Sequence, residues 1–412
     1  MPGGAGREAE RVARASYGRL LALLAAGTGD LAAAEDALAD AFRIALETWP
    51  RRGLPDNPAA WLLVVARRRR EQQRRRMATR LRAADDLQMF AALGEWEPDQ
   101  DSRLPDRRLE LLFACAHPAI HPTARTPLML QTVLGLDAAS IAAAFLVAPA
   151  AMGQRLVRAK AKIKAAGIPF RIPDPPELPA RLDAVLDAIY ASYGTGWDAL
   201  GSATGDGLAQ EALWLARLTA DLLPGEPEAG GLLSLLLHCE ARRAARRSPD
   251  GAFVPLSEQD MERWDRTMIA EAEGRLETAG RLGRVGRFQL EAALQSVHAQ
   301  RLMTGRTDWH ALATLYEALA RSSPTVGVLV GQAAVAGEVE GPPAGLRLLD
   351  ALPVERCAAY QPFWAVRADL LRRAGRTSDA AEAYRRATGL SADESVRRFL
   401  LERLHSLEQP LP

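Results

Sequence analysis

The lysines of this 412-residue chain are confined to Lys160, Lys162 and Lys164. They follow Gln154, Arg155 and Arg158, and no acid occurs between Ala138 and Arg171. Cations in such a run bind phosphate. Arginine can also grip guanine, and glutamine adenine, through paired hydrogen bonds on the base edge. On a helix, Gln154, Arg155 and Arg158 fall where bases would be read. The alternating lysines cannot share that narrow edge and are assigned to phosphates. A second basic run stands upstream at Arg67, Arg68, Arg69 and Arg70, then Arg74, Arg75 and Arg76. Neutralising Z phosphates of a duplex gives a salt slope of about −0.9Z, so a few of these arginines would make binding strongly salt-dependent. Arginine outnumbers lysine 49 to 3; that is largely coding bias, so clustering rather than the count carries the argument.

These residues need helices to hold them. Ala138–Phe145 reads as a helix, Leu146, Val147 and Ala148 as a turn, and Pro149 as the opening of a second helix. Ile141, Phe145, Met152 and Leu156 have the spacing of a packed seam. This is the pattern of a helix-turn-helix whose second helix enters a major groove. The arginine run ends a helix that Pro58 starts. Before it, Asp30 is placed to cap Leu31–Thr48, which Trp49-Pro50 should stop. A first helix spans Glu8–Ala26. Alternating apolar and polar runs are absent, so an all-α fold is expected throughout.

Five segments follow: residues 1–85 as one small helical domain, 86–106 as a linker, 107–170 as the helix-turn-helix domain, a proline-rich boundary, and 180–412 as a helical extension. Within the extension, Phe363–Leu390 resembles one tetratricopeptide unit and the stretch from Trp309 is a weaker match, so 309–390 reads as repeat-like. Trp197, Trp214, Trp264, Trp309 and Trp364 are expected in cores.

Bulk properties narrow the function. Net charge is +1, yet residues 1–85 carry 16 arginines against 10 acids, and 155–171 carry six cations and no acid. The basic character is local, as a phosphate-binding surface requires. Cys115, Cys239 and Cys357 are too scattered for a disulfide framework or zinc site, which fits a reducing cytoplasm. Neither a signal core nor an apolar run of about 20 residues is present, so no membrane contact is expected. Cys115, His117 and His121 supply too few ligands for a metal. With no nucleophile elbow, phosphate loop or metalloprotease motif, neither an enzyme nor a cofactor is expected.

Several segments, in order, resemble bacterial RNA polymerase sigma factors of the extracytoplasmic-function group, specifically those with a long C-terminal extension. They are GDLAAAEDALADAFRIALETWPRRGLPDNPAAWLLVVARRRR, LLFACAHPAI, IAAAFLVAPAAMGQRLVRAKAKI, FQLEAALQSVHAQR and YQPFWAVRADLLRRAGR. The resemblance implies that Ala34–Glu47 docks on the polymerase clamp, with Asp36, Asp40 and Phe42 at matching positions. It implies that Trp49–Pro58 holds a flipped base of the −10 element, Asp56 and Asn57 supplying hydrogen bonds, and Trp49 and Trp61 flat surface. The alternative for that loop is that both tryptophans are core and Asp56-Asn57-Pro58 merely starts a helix. The second helix of the helix-turn-helix would read the −35 element. Such factors usually carry Asn near Arg68, Asp near Gln72 and apolar residues at 71 and 74. Here ARRRREQQRRR is more basic, a departure that bears on base reading and strand melting. The partners implied are core RNA polymerase and promoter DNA, with a protein or peptide ligand for a regulatory extension. A free-standing helix-turn-helix regulator with a helical sensor, and a helical-repeat scaffold, are the alternative readings.

Overall fold

The computed structural model describes residues 16–26, 29–78, 106–145, 147–174, 176–198 and 203–408. Among them the regular elements are helices, as expected, with an isolated bridge between Arg247 and Phe253. The chain forms two compact units, Met1–Leu215 and Ala216–Pro412.

In the first unit, helix α1 (16–26) buries Leu20, Leu21 and Leu24 completely. Helix α2 (Leu31–Arg52) starts where Asp30 accepts the Ala33 amide at 3.1 Å. Its buried residues Leu31, Ala34, Leu38, Ala41, Ala45 and Trp49 recur every third or fourth position, the spacing of one helix face. The helix does not stop at Trp49-Pro50 as expected. Pro50 lies within its last turns, and Gly53 ends it at φ 84°, returning its amide to the Trp49 carbonyl. A proline removes one donor and its bond to the preceding turn without ending the helix here; the helix ends at a glycine of positive φ, a conformation other residues rarely adopt. Asn57 then caps α3 (Pro58–Ala78) through the Ala60 amide at 3.0 Å.

Helices α4 (Arg108–Cys115), α5 (Pro122–Leu134), α6 (Ala138–Ala144) and α7 (Pro149–Ala165) pack on one another. The segments 1–85 and 107–170 are not separate bodies. The α1 residue Gly18 lies so close to the Val133 carbonyl of α5 that no β-carbon fits, and Tyr17 packs on Gly135. The proline-rich stretch also lies inside this unit. Ile168, Phe170 and Leu178 are buried, and α8 (Pro179–Asp198) returns onto α4 and α5. Prolines stop the helix there, but apolar residues between them keep the chain on the core. Helix α9 (Ala203–Leu222) begins in this unit, burying Ala209, Ala212 and Leu215.

The second unit continues with α10 (Pro227–Ala241), α11 (Arg266–Gly280), α12 (Arg287–Ala299), α13 (Trp309–Ser322), α14 (Val326–Val339), α15 (Pro342–Asp350), α16 (Gln361–Arg373), α17 (Thr377–Leu390) and α18 (Glu394–Glu408). Packing is mostly between sequence neighbours. The core is accordingly serial: one cluster around Trp264, another around Leu312 and Leu319, a third around Phe363, Tyr384 and Leu400. Glu228 of α10 caps α12 from outside. Its carboxylate accepts the Phe288 amide at 2.8 Å and the Gln289 amide at 3.1 Å. Trp264 is buried, whereas Trp309 and Trp364 are half-buried. In the first unit Trp214 is 37% exposed, with the Arg108 guanidinium stacked over its ring. The Trp197 side chain lies outside the described residues.

Candidate nucleic-acid interface

Helix α7 has two unlike faces. Met152, Leu156, Ala159 and Ile163 are buried, four and three residues apart. Opposite them Gln154, Val157, Arg158, Ala161 and Lys162 are exposed. The expected seam holds at Ile141, Met152 and Leu156 but not at Phe145, which is 37% exposed. Helix α6 ends at Ala144, so Phe145 has already left the helical face that would bury it.

Arg155 is half-buried and donates from Nη1 to the Thr123 carbonyl at 3.3 Å; the Arg158 Nε donates to the Gln154 carbonyl at 3.3 Å. Both arginines, with Lys162, His121 and Thr123, border a cleft of about 390 Å³ between α7 and the start of α5. His121 accepts the Thr123 amide and caps α5. The cations therefore stand beside the positive end of a helix dipole, where anions are favoured.

Lys160 and Lys164 are placed differently from the expectation. The Lys160 Nζ lies 2.5 Å from Glu35 Oε2, its side chain only 12% exposed, and the Lys164 Nζ lies 2.6 Å from Asp30 Oδ2. Both partners belong to the start of α2. Positions 160 and 164 share the flank of α7 turned to that helix, one turn apart, while Lys162 points with the open face. In this arrangement Lys160 is spent on a largely buried ion pair, while Lys164, 67% exposed, is paired at the surface. Burial pushes the Glu35 carboxyl above its usual range despite the bond from Lys160. Burial also acts on Asp30, but the bonds from Lys164 and the Ala33 amide outweigh it and hold that carboxyl low.

The upstream arginines are similarly divided. Arg67 is exposed, while Arg68, Arg69 and Arg70 are half-buried. Arg70 Nη1 donates to the Leu24 carbonyl at 2.6 Å, tying α3 to α1. The Nε of Arg69 is buried without a hydrogen-bond partner. Arg74, Arg75 and Arg76 continue α3, but their side chains lie outside the described residues.

The loop before α3 favours its structural reading. Trp49 is 3% exposed and meets Trp61 edge-on, with ring centroids 5.6 Å apart. Its faces are therefore closed to a base, leaving Trp61, which is half-buried. Asn57 is occupied as the helix cap, and Asp56 is exposed.

On α2, Asp36 is exposed, Asp40 sits 3.9 Å from the Arg43 Nε, and Phe42 is half-buried. A further residue joins them that the sequence reading missed. Leu46 is 52% exposed and aligns with Asp36, Ala39, Arg43 and Pro50 at alternating steps of three and four. That spacing is the seam one helix offers another, and an exposed leucine in it was the available signal.

Also missed was Arg108. It is 8% exposed, gripped twice by Asp106, paired with Glu211 and stacked 4.1 Å over Trp214, so it ties the start of α4 to α9. Cys115, His117 and His121 have local partners: Thr132 for the thiol, the Ala119 amide for His117, and Thr123 for His121. Burial raises the Cys115 thiol to about 12, far from thiolate chemistry. Among the described residues, no helix is long and apolar enough to cross a membrane.

Residues 181–280 match a family of unknown function, DUF6596. The whole chain is similar to the uncharacterized protein R00370 of Rhizobium meliloti (strain 1021). Identity is 38% over 381 residues, covering 91% of this chain and 90% of that one. No solved structure matches.

Proposed function

The chain belongs to the family of that Rhizobium meliloti protein, and we propose that it is a sigma factor, a subunit that binds core RNA polymerase and directs it to promoters. The observation that carries this reading is the open face of α7, where Gln154, Arg158 and Lys162 stand exposed beside Arg155 on a helix anchored by an apolar seam. A helix so anchored can enter a major groove without unfolding anything. Arg158 and Gln154 then meet base edges, while Lys162 and the cleft at His121 meet phosphates.

The face of α2 favours polymerase over a free-standing regulator. A seam of Asp36, Ala39, Arg43 and Leu46 is left open along a helix of 22 residues. It presents Asp36 and Leu46 to a partner helix, with Arg43 between them paired to the flanking acids Asp40 and Glu47, so that acid and apolar groups remain for docking onto a basic coiled coil. The exposed Arg67 and the continuing run on α3 supply phosphate contacts for the melted strand. In this reading the second unit is a regulatory extension, and its serial packing supports the repeat-like assignment of 309–390.

The test is assembly. Full-length chain mixed with bacterial core polymerase should co-elute as a holoenzyme, and Asp36→Lys should reduce co-elution at least tenfold while leaving the unfolding temperature unchanged. Failure of the native chain to co-elute, with salt-dependent duplex binding intact, would establish the free-standing regulator instead.

A further inference from the structure

We propose that Val157 reads the methyl group of a thymine in the major groove; the inference rests on the DNA-binding reading above and assigns part of its sequence preference. Val157 is 66% exposed, more than Leu46, Leu54, Phe145 or Trp214 in the same unit. Valine is also a poorer helix former than alanine, which occupies Ala150, Ala151, Ala161 and Ala165 around it. Position 157 therefore carries a largely exposed apolar group at a small cost to the helix.

Its neighbours identify the occupant. Val157 lies one turn from Gln154 and one turn from Ala161, beside Arg158, on the exposed face. The small exposed alanines let the helix approach a surface closely, and Val157 projects furthest among the apolar groups. Arg155, Arg158 and Lys162 flank it with positive charge and no acid, which excludes an apolar protein patch as partner unless that patch is ringed by anions. Duplex DNA supplies both demands at once, phosphates for the cations and, on thymine alone, a methyl group at the groove edge. The isopropyl group is stiff about χ1, so it loses little freedom on contact.

The experiment uses duplexes that the full-length chain selects from a random pool. Uracil then replaces each thymine in turn, deleting one methyl and no hydrogen-bonding group. For the native chain, one position should lose affinity by about threefold to fivefold, the value of one buried methyl. Val157→Ala should bind the thymine duplex more weakly by a similar factor and be indifferent to uracil at that position. Its unfolding temperature should not fall, since the side chain is exposed. A uracil penalty that persists in Val157→Ala, or no uracil penalty at any position, overturns the assignment while leaving DNA binding in place. Absence of salt-dependent duplex binding by the native chain, or binding that Arg158→Ala leaves unchanged, instead overturns the reading beneath it.

Discussion

The Glu35–Lys160 pair shows how one residue can be legible in type and not in role. Lys160 stands in a run that reads as phosphate-binding, and its partner is 125 residues away. Glu35 sits next to Asp36, and nothing local says which acid turns inward. Both side chains of the pair are more than four-fifths buried. Desolvation of two charges offsets much of their attraction, so such a pair adds little net stability, while removing one partner strands the other. Lys160→Met should therefore cost on the order of 3 kcal/mol at neutral pH. Glu35→Leu combined with Lys160→Met should return to within about 1 kcal/mol of the native chain. Denaturant titration checks both. The sign of the pH effect follows from Glu35, whose folded carboxyl is raised above its ordinary 4.5. Its neutral form is favoured in the fold, a contribution present below the unfolded value and lost as pH rises through the folded one. The penalty in Lys160→Met should thus shrink as pH is lowered from 7 toward that value; a penalty independent of pH would refute the stranded carboxylate. Arg158→Ala on the open face, and Arg155→Ala at its border, should each weaken duplex binding. For each cation that no longer reaches a phosphate, the salt slope should fall by about 0.9. Arg158→Ala should leave the unfolding curve unchanged, because its side chain is exposed.

Among elements, starts were the legible part. Asp30, Asn57 and Pro149 open helices where their chemistry says they should, because a cap acts on amides two or three residues away. Ends were less legible. Helix α2 runs through Pro50 to Gly53, and Phe145 falls just past the end of α6. Contacts between elements were the least legible, since a cap can also come from a distant helix. Glu228 lies in the first turn of α10 and satisfies the first amides of α12, with Gln289 also donating from Nε2 at 3.2 Å. Gly231 leaves room for Gln289, a β-carbon there falling 2.7 Å from its backbone nitrogen. Glu228→Ala removes a charged acceptor from at least two amides and should destabilise the second unit by about 2 kcal/mol. Hydrogen exchange should show protection falling first at Phe288 and Gln289; unchanged protection there would mean that the cap contributes nothing.

For the whole molecule, fold class followed from periodicity, while its division did not. The sequence marks linkers by composition, and the proline-rich stretch before α8 has such a composition. Yet its apolar residues bind it to the first unit, which extends to Leu215. Likewise the segments 1–85 and 107–170 meet through Gly18, Glu35 and Asp30, residues with no local mark of a distant partner. The proposed function needs these surfaces to act together: α2 on polymerase, α3 and α7 on DNA. Run-off transcription tests that most directly, with purified full-length chain, bacterial core polymerase and the DNA upstream of its own coding region as template. A discrete transcript that requires the chain, and that disappears in Arg158→Ala and in Asp36→Lys, is the predicted result. Polymerase that initiates no differently with and without the chain, on that template and on a library of promoters, would contradict the account.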